Sequence, residues 1–300
     1  MKIFSSLFKR RKKGKSKNRA LDNTVPLSPS QLTGLVGHES DGHVIQLVSG
    51  SAIDVGRRRE NNEDALLGFS GNLAQNDQNQ VFGFFAVADG MGGHRNGEVA
   101  SENAVRALGD HIISNLYNPL FGPNPKPPQH SLREMLEEGL IKAHKQVQRS
   151  SPGGGCTVTA ALIFGTQMVI AHIGDSRAYS IYKDGRIQAL TTDHTLVNRL
   201  VELGEITEED AGSHPQKSVL IRALGQGNEV KADIFTSLVP QQGHLLLCTD
   251  GLWGVLSDVE IQKIVNSAPN PNKGAEMLVE AANKAGGPDN IAAVLIQLVE

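Results

Sequence analysis

Val81-Phe82-Gly83-Phe84-Phe85-Ala86-Val87-Ala88 runs without a break into Asp89-Gly90-Met91-Gly92-Gly93-His94, and the chain repeats this arrangement several times. The first half is apolar and aromatic and predicts a β-strand, whereas the second places an acid in a glycine-rich turn. Outward from it, Val44 to Asp54, Thr157 to Phe164, Met168 to Ile173 and Ala178 to Tyr182 are strand-like. Ile234 to Leu238, Leu245 to Cys248 and Ile291 to Leu298 continue the pattern. Lys183-Asp184-Gly185-Arg186 predicts a hairpin turn between Tyr182 and Ile187. Capping boxes mark helices: Ser131 with Glu134 opens one running to about Arg149, and Ser257 with Glu260 opens another. Gly97 to Leu116 and Gly274 to Ala285 also show helical spacing. Strands outnumber helices and follow one another through short turns, so the expected class is α+β, antiparallel sheets with helices packed outside.

Composition narrows the function. Hydrophobic residues are 39% and charged residues 20% of 300, enough for a sizeable core. No apolar run approaches the ~18 residues of a membrane span. Cys156 and Cys248 are too few for a disulfide framework or a structural zinc site, which suits a reducing cytoplasm. Aromatics at 4% argue against a base-stacking platform, so no nucleic-acid partner is expected. The net charge of −3 hides a split. Residues 1–20 hold nine basic residues and no acid, leaving 20 basic against 32 acidic residues over 21–300. Residues 1–45 therefore read as a basic tail, and 46–300 as the functional domain. Three readings of the tail stay open: a solvated, disordered extension, a weak foot on an anionic membrane, with Ile3, Leu7 and Phe8 dipping, or, least favoured, a nucleic-acid contact. Tyr117 to His130, with five prolines, predicts a surface loop, and Thr195 to Gly225 a polar helical excursion suited to a mobile flap.

The chemistry is carried by acids at strand ends. Besides Asp89-Gly90 there are Asp175 after Ile170 to Gly174, Asp250-Gly251 after Leu245 to Thr249, Asp289-Asn290 before the last strand, and Glu63-Asp64 in Asn61 to Asp64. One Asp-Gly is most simply a turn. Five acidic turns that converge would repel one another, and a bound hard cation is the simplest remedy. Oxygen donors without a His/Cys cluster point to Mg²⁺ or Mn²⁺, and two such ions ~3.5–4 Å apart activate water toward phosphorus. A positive group for phosphate is at hand in Arg57, Arg58 and Arg59; on a strand, the first and third would share a face.

These motifs, in this order, resemble the metal-dependent type 2C serine/threonine protein phosphatases in their bacterial form. Asp54-Val55-Gly56, Arg59, Asn61 to Asp64, Asp89 to His94, Gly174 to Arg177, Asp193-His194, His214-Pro215, Arg222 to Gly225, Thr249 to Gly251 and Asp289-Asn290 carry the likeness, from about Val48 to Glu300. The resemblance implies a sandwich of two antiparallel sheets flanked by helices (α/β/β/α), with a cleft at one end and a flap at about 195–225. It implies that Asp89 bridges two ions, that the Gly90 carbonyl binds the first, and that Asp250 and Asp289 hold the second. Asp175, with Asp250, matches a third-ion ligand. Glu63 and Asp64 would orient waters from behind, and Arg59 would bind phosphate.

The implied reaction is hydrolysis of phosphoserine and phosphothreonine in proteins, by water activated between the cations. Met91 stands where eukaryotic members have histidine, and a thioether cannot give the leaving group a proton. That leaves a water on a metal, or His94. His194 and His214 are expected to brace the flap, His172 to sit in a strand, and Trp253 to pack below the site. Expected partners are phosphorylated proteins, including a serine/threonine kinase or its substrates, for a monomer in the cytoplasm or peripheral at the inner membrane surface. Two alternatives keep the motifs: a catalytically silent phosphoprotein-binding module, and a regulator phosphatase acting on an anti-sigma-factor antagonist.

Overall fold

The computed structural model describes residues 45–75, 78–92, 95–126 and 128–299. The basic tail before residue 45, Gly93 and His94 lie outside the described residues. Strand β1 (Gln46–Asp54), β2 (Asp64–Gln75) and β3 (Gln78–Met91) precede helix α1 (Arg95–Ile112), which passes through a π-helical turn, Ile113–Tyr117, into α2 (Asn118–Phe121). Then come α3 (Leu132–Ser150), β4 (Gly155–Cys156), β5 (Val158–Phe164), β6 (Gln167–Ile173), β7 (Arg177–Tyr182) and β8 (Ile187–Ala189). Helices α4 (Leu196–Leu203) and α5 (Glu208–Ser213) form the excursion. β9 (Asp233–Leu238), β10 (Gly243–Cys248), α6 (Asp250–Trp253), α7 (Asp258–Ser267), α8 (Pro271–Lys284) and β11 (Ile291–Val299) complete the chain.

Two antiparallel sheets result, one ordered β1-β11-β10-β7-β8 and the other β2-β3-β5-β6-β9, with β4 paired to β3. Both faces of each sheet are covered, because successive strand residues point opposite ways. In β3, Phe84, Ala86 and Ala88 meet α1 and α3, while Phe85 and Val87 face the second sheet. In β10, Leu245 and Leu247 join that central layer, and Leu246 and Cys248 pack under α7 and α8. Three apolar layers thus separate four layers of secondary structure, helix–sheet–sheet–helix. A fully buried Leu, Val or Phe of this kind contributes about 1.5–3 kcal/mol. Both expected capping boxes form, at Ser131 and at Ser257.

Three sequence expectations need correcting. Asp64 is not in a turn between strands but begins β2, an edge strand that propensity conceals. The proline-rich stretch is partly helical, since Tyr117 closes the π-helical turn and α2 follows with Pro119 in its first turn. Arg57 to Arg59 are in a loop, not on a strand. Gly56 turns the chain with φ +83°, and the Arg57 backbone N donates to the Gly287 carbonyl at 2.7 Å.

Candidate active site

The acids gather because the strands carrying them end at one edge of the sandwich. Asp64 and Asp89 are directly paired across β2 and β3. Asp250 opens α6 immediately after β10, Asp289 immediately precedes β11, and Asp175 lies in the turn from β6 to β7. Asp89, Gly90, Asp175, Asp250 and Asp289 all line one cavity of about 530 Å³, together with Glu63 and Arg59. Asp64 is buried just beneath, and the flap contributes Ser218 and Leu220 to the rim, with Gln226 just after it.

Close backbone approach makes this floor possible. A methyl group on Gly90 would collide with the Gly97 and Glu63 carbonyls, and one on Gly251 with the Asn290 carbonyl. Only glycine lets α1 and α6 come this near.

Four of the acids are held from behind. The Asp89 backbone N donates to Thr157 Oγ1 at 2.9 Å, and Thr157 Oγ1 shares a 2.6 Å hydrogen bond with Ser176. Thr249 Oγ1 donates to Asp64 Oδ2 at 2.7 Å and accepts from the Ala292 backbone N at 2.9 Å. Asn290 staples the arginine loop: its Nδ2 donates to the Val55 and Asn61 carbonyls, and its Oδ1 accepts from the Glu63 backbone N at 2.8 Å. Trp253 Nε1 donates to the Asp175 carbonyl at 3.0 Å. Thr249 and Asn290 stand in the motifs that carry the resemblance but with no role assigned, and Thr157 reads only as the start of a strand; their signal is only that they neighbour a strand-end acid in space or in chain. Trp253 was expected merely to pack below the site, and it also tethers the Asp175 turn.

Electrostatics mark the cleft as strained. Among the described residues six carboxylates and two arginines line it, Glu60 and Arg58 completing the set. Burial, then repulsion from Asp64, Asp250, Asp175 and Asp289, holds the Asp89 carboxyl well above the usual range. Burial and Asp250 push Asp175 up to about 8. Burial and Asp289 push Asp250 up to about 6. Burial likewise raises Asp64, against the Thr249 hydrogen bond that favours its charge. Arg59 Nη2 donates to Asp289 Oδ2 at 2.7 Å, so the phosphate-binding candidate and one ligand candidate are in contact. Burial lowers the Arg59 guanidinium, yet Asp289, Glu63 and Asp89 outweigh it and leave it raised.

The donor set fits hard divalent cations: carboxylate oxygens and a backbone carbonyl, with charge repulsion that a cation would relieve. No three His, Cys, Asp or Glu side chains among the described residues close into a ready-made cage.

The neighbouring histidines behave structurally. His194 Nδ1 accepts from the Gly174 backbone N at 3.1 Å and its Nε2 lies 3.2 Å from Asp233, bracing the start of the flap. His214 Nδ1 accepts from the Gln216 backbone N at 3.1 Å within the flap itself. His172, buried in β6 between Thr159 and the Thr192 carbonyl, is lowered to about 3 by burial and then by His194. Cys156 and Cys248 are buried free thiols that burial pushes up, unsuited to nucleophilic work.

Comparison with known proteins adds independent findings. The protein phosphatase 2C family profile matches residues 56–295. The chain is 37% identical over 244 residues to the serine/threonine phosphatase Stp of Listeria monocytogenes, covering 81% of this chain and 93% of that one. Among solved structures it resembles the Mycobacterium tuberculosis serine/threonine phosphatase PstP/Ppp, with a TM-score of 0.69 and 34% identity over 85% of this chain and 99% of that one. It is also similar to the catalytic domain of PstP in complex with two manganese ions, with a TM-score of 0.67 and 32% identity over 86% of this chain and 100% of that one.

Proposed function

The chain belongs to the protein phosphatase 2C family, and from that premise we propose how its cleft serves a metal-dependent protein serine/threonine phosphatase. The enzyme hydrolyses phosphoserine and phosphothreonine in proteins and uses Mn²⁺ or Mg²⁺. Asp89, the Gly90 carbonyl, Asp250 and Asp289 would hold two ions, and Asp175 with Asp250 a third. Bound cations of this type supply Lewis acidity toward a phosphoryl oxygen and bring water into nucleophilic form near neutral pH. The observation that carries this assignment is the lining of one cleft by acids whose carboxyls are pushed up by burial and by one another.

The chain's own residues do the positioning. Arg59, exposed at the rim beside Asp289, presents a planar guanidinium that clasps two phosphoryl oxygens. Thr249 fixes Asp64, and Asn290 fixes the loop carrying Arg59 and Glu63, so neither acid must reorganise when substrate binds. Met91 lines the cleft and donates no proton; His94 is outside the described residues.

Residues 46–300 form the catalytic unit in this reading, since the family match lies wholly within them. The substrate requires a serine/threonine kinase to make it, and two buried free thiols suit a reducing cytoplasm. Among the described residues no helix is long and apolar enough to cross a membrane. The nine basic residues of 1–20 support contact of the tail with an anionic inner-membrane surface by a chain acting as a monomer. Phosphate release from a phosphothreonine peptide, measured with Mn²⁺ and with excess chelator, tests the assignment. Turnover is expected only with Mn²⁺; equal turnover in chelator overturns it.

A further inference from the structure

The outer helical layer carries a second concave surface, of charge opposite to the domain. Helices α1 and α3 lie antiparallel. At one end Ser151 Oγ donates to the Asn96 carbonyl at 2.6 Å, and at the other Lys142 Nζ lies 2.9 Å from His111 Nδ1. Between these ends lies a groove of about 450 Å³, floored by the small side chain of Ala107. Lys142, Lys145 and Arg149 stand on the α3 wall, with Asp110 as the acid on the lining among the described residues; Arg106 on the α1 wall is paired with Glu102 at 2.8 Å. The three α3 cations are spaced three and four residues apart and share one helix face, where like charges repel. Lys145 and Arg149 are exposed and make no ion pair among the described residues. Residues 21–300 hold 20 basic against 32 acidic residues, so such a cluster is against the trend of the domain.

We propose that this groove docks an acidic segment of the phosphoprotein substrate, apart from the residue being dephosphorylated. The proposal rests on the phosphatase reading of the cleft. Its direct support is charge complementarity and position. Gly92, on the cleft lining, abuts Asn96 and Gly154, so the α1–α3 groove leads away from the cleft. The seven residues from Asn96 to Asn103 advance about 10 Å along the helix. An extended peptide covers that in about three residues. The docking acids therefore fall at least about three residues from the phosphoresidue. No aromatic ring lines the groove among the described residues, so single-stranded nucleic acid has nothing there to stack on.

The test compares the full wild-type chain with a Lys145→Glu/Arg149→Glu double variant. Both positions are exposed, and both proteins keep the basic tail, so the tail cancels in the comparison. Two phosphothreonine peptides, one with four glutamates placed six residues from the phosphothreonine and one with glutamines there, are hydrolysed with Mn²⁺, beside p-nitrophenyl phosphate. The wild type is expected to show a KM about tenfold lower for the acidic peptide, the product of two or three exposed ion pairs. The double variant loses that advantage while kcat and p-nitrophenyl phosphate turnover stay unchanged. Equal KM values in the wild type, or an advantage that survives the charge reversal, overturn the proposal.

Fluorescence anisotropy of the labelled acidic peptide in chelator reads the groove without turnover, so failure of the phosphatase reading is seen separately. Binding is expected to weaken about tenfold in the variant. A larger loss for labelled oligouridine than for the peptide would instead make the groove a nucleic-acid site and overturn the proposal.

Discussion

Two clusters of acids lie side by side at the cleft end of the sandwich, and the fold treats them differently. At the flap junction Asp193 and Asp233 each have a protein cation. Arg177 donates to both oxygens of Asp193, at 2.9 and 2.7 Å, and its guanidinium lies 3.5 Å from the centre of the Trp253 ring. Asp233 accepts from Arg222 at 3.0 Å and faces His194. In the cleft, burial and then neighbouring acids instead raise the Asp64, Asp89, Asp175 and Asp250 carboxyls, and Arg59 hydrogen-bonds Asp289. Charge neutralised inside the fold shapes the flap junction. Charge without a protein partner gathers in the cleft to which the metal-dependent reaction is assigned.

The sharpest way to break this contrast is Asp250→Ala. Mn²⁺-dependent phosphate release should fall to background while the melting temperature in chelator is unchanged or higher, because one repelling acid is gone. Unchanged turnover would show that Asp250 holds no ion. Arg177→Ala should do the opposite. It strands Asp193 and costs about 2–4 kcal/mol, because a largely buried ion pair is broken from one side. Urea unfolding measures this, and a loss below about 0.5 kcal/mol would demote the pair to surface decoration.

Arg59→Ala should act more weakly, raising KM more than it lowers kcat. A fall in kcat at constant KM would place Arg59 on the transition state alone.

The smallest effect is on stability against pH. Asp175 and Asp250 titrate folded at about 8 and about 6, against an ordinary 3.8. Between pH ~4 and ~8 the cation-free native chain holds more protons than the unfolded chain, so stability falls as pH rises. Mn²⁺ should therefore raise the melting temperature more at pH 8 than at pH 5. His172, lowered to about 3, runs the other way and loses stability as pH falls below 6.5. It is common to both melts and cancels in the difference. An equal Mn²⁺ increment at both pH values would contradict the mutual repulsion of the acids.

Much of this was readable from residue order alone. Apolar runs such as Phe84 to Ala88 announced strands, capping serines announced α3 and α7, and glycine-flanked acids announced the cleft. Strand β2 was not legible, because its Gly68 and Gly71 lower its propensity. The structure gives the reason: the Phe85 and Phe82 rings of the neighbouring strand lie over those glycines, where a side chain would clash. The supporting roles of Thr157, Thr249 and Asn290 were hidden for another reason. A threonine or asparagine beside an acid is unremarkable in one dimension, and its hydrogen bonds span up to 235 residues. The arginine triplet misled because a strand period was read into a loop set by Gly56 and Gly287.

The central claim is that the cleft acids bind divalent cations. Isothermal titration of the chelator-stripped full chain with Mn²⁺ tests it directly. At least two ions should bind to the wild type and fewer to Asp250→Ala; no binding by the wild type, or identical binding by both, would contradict the account.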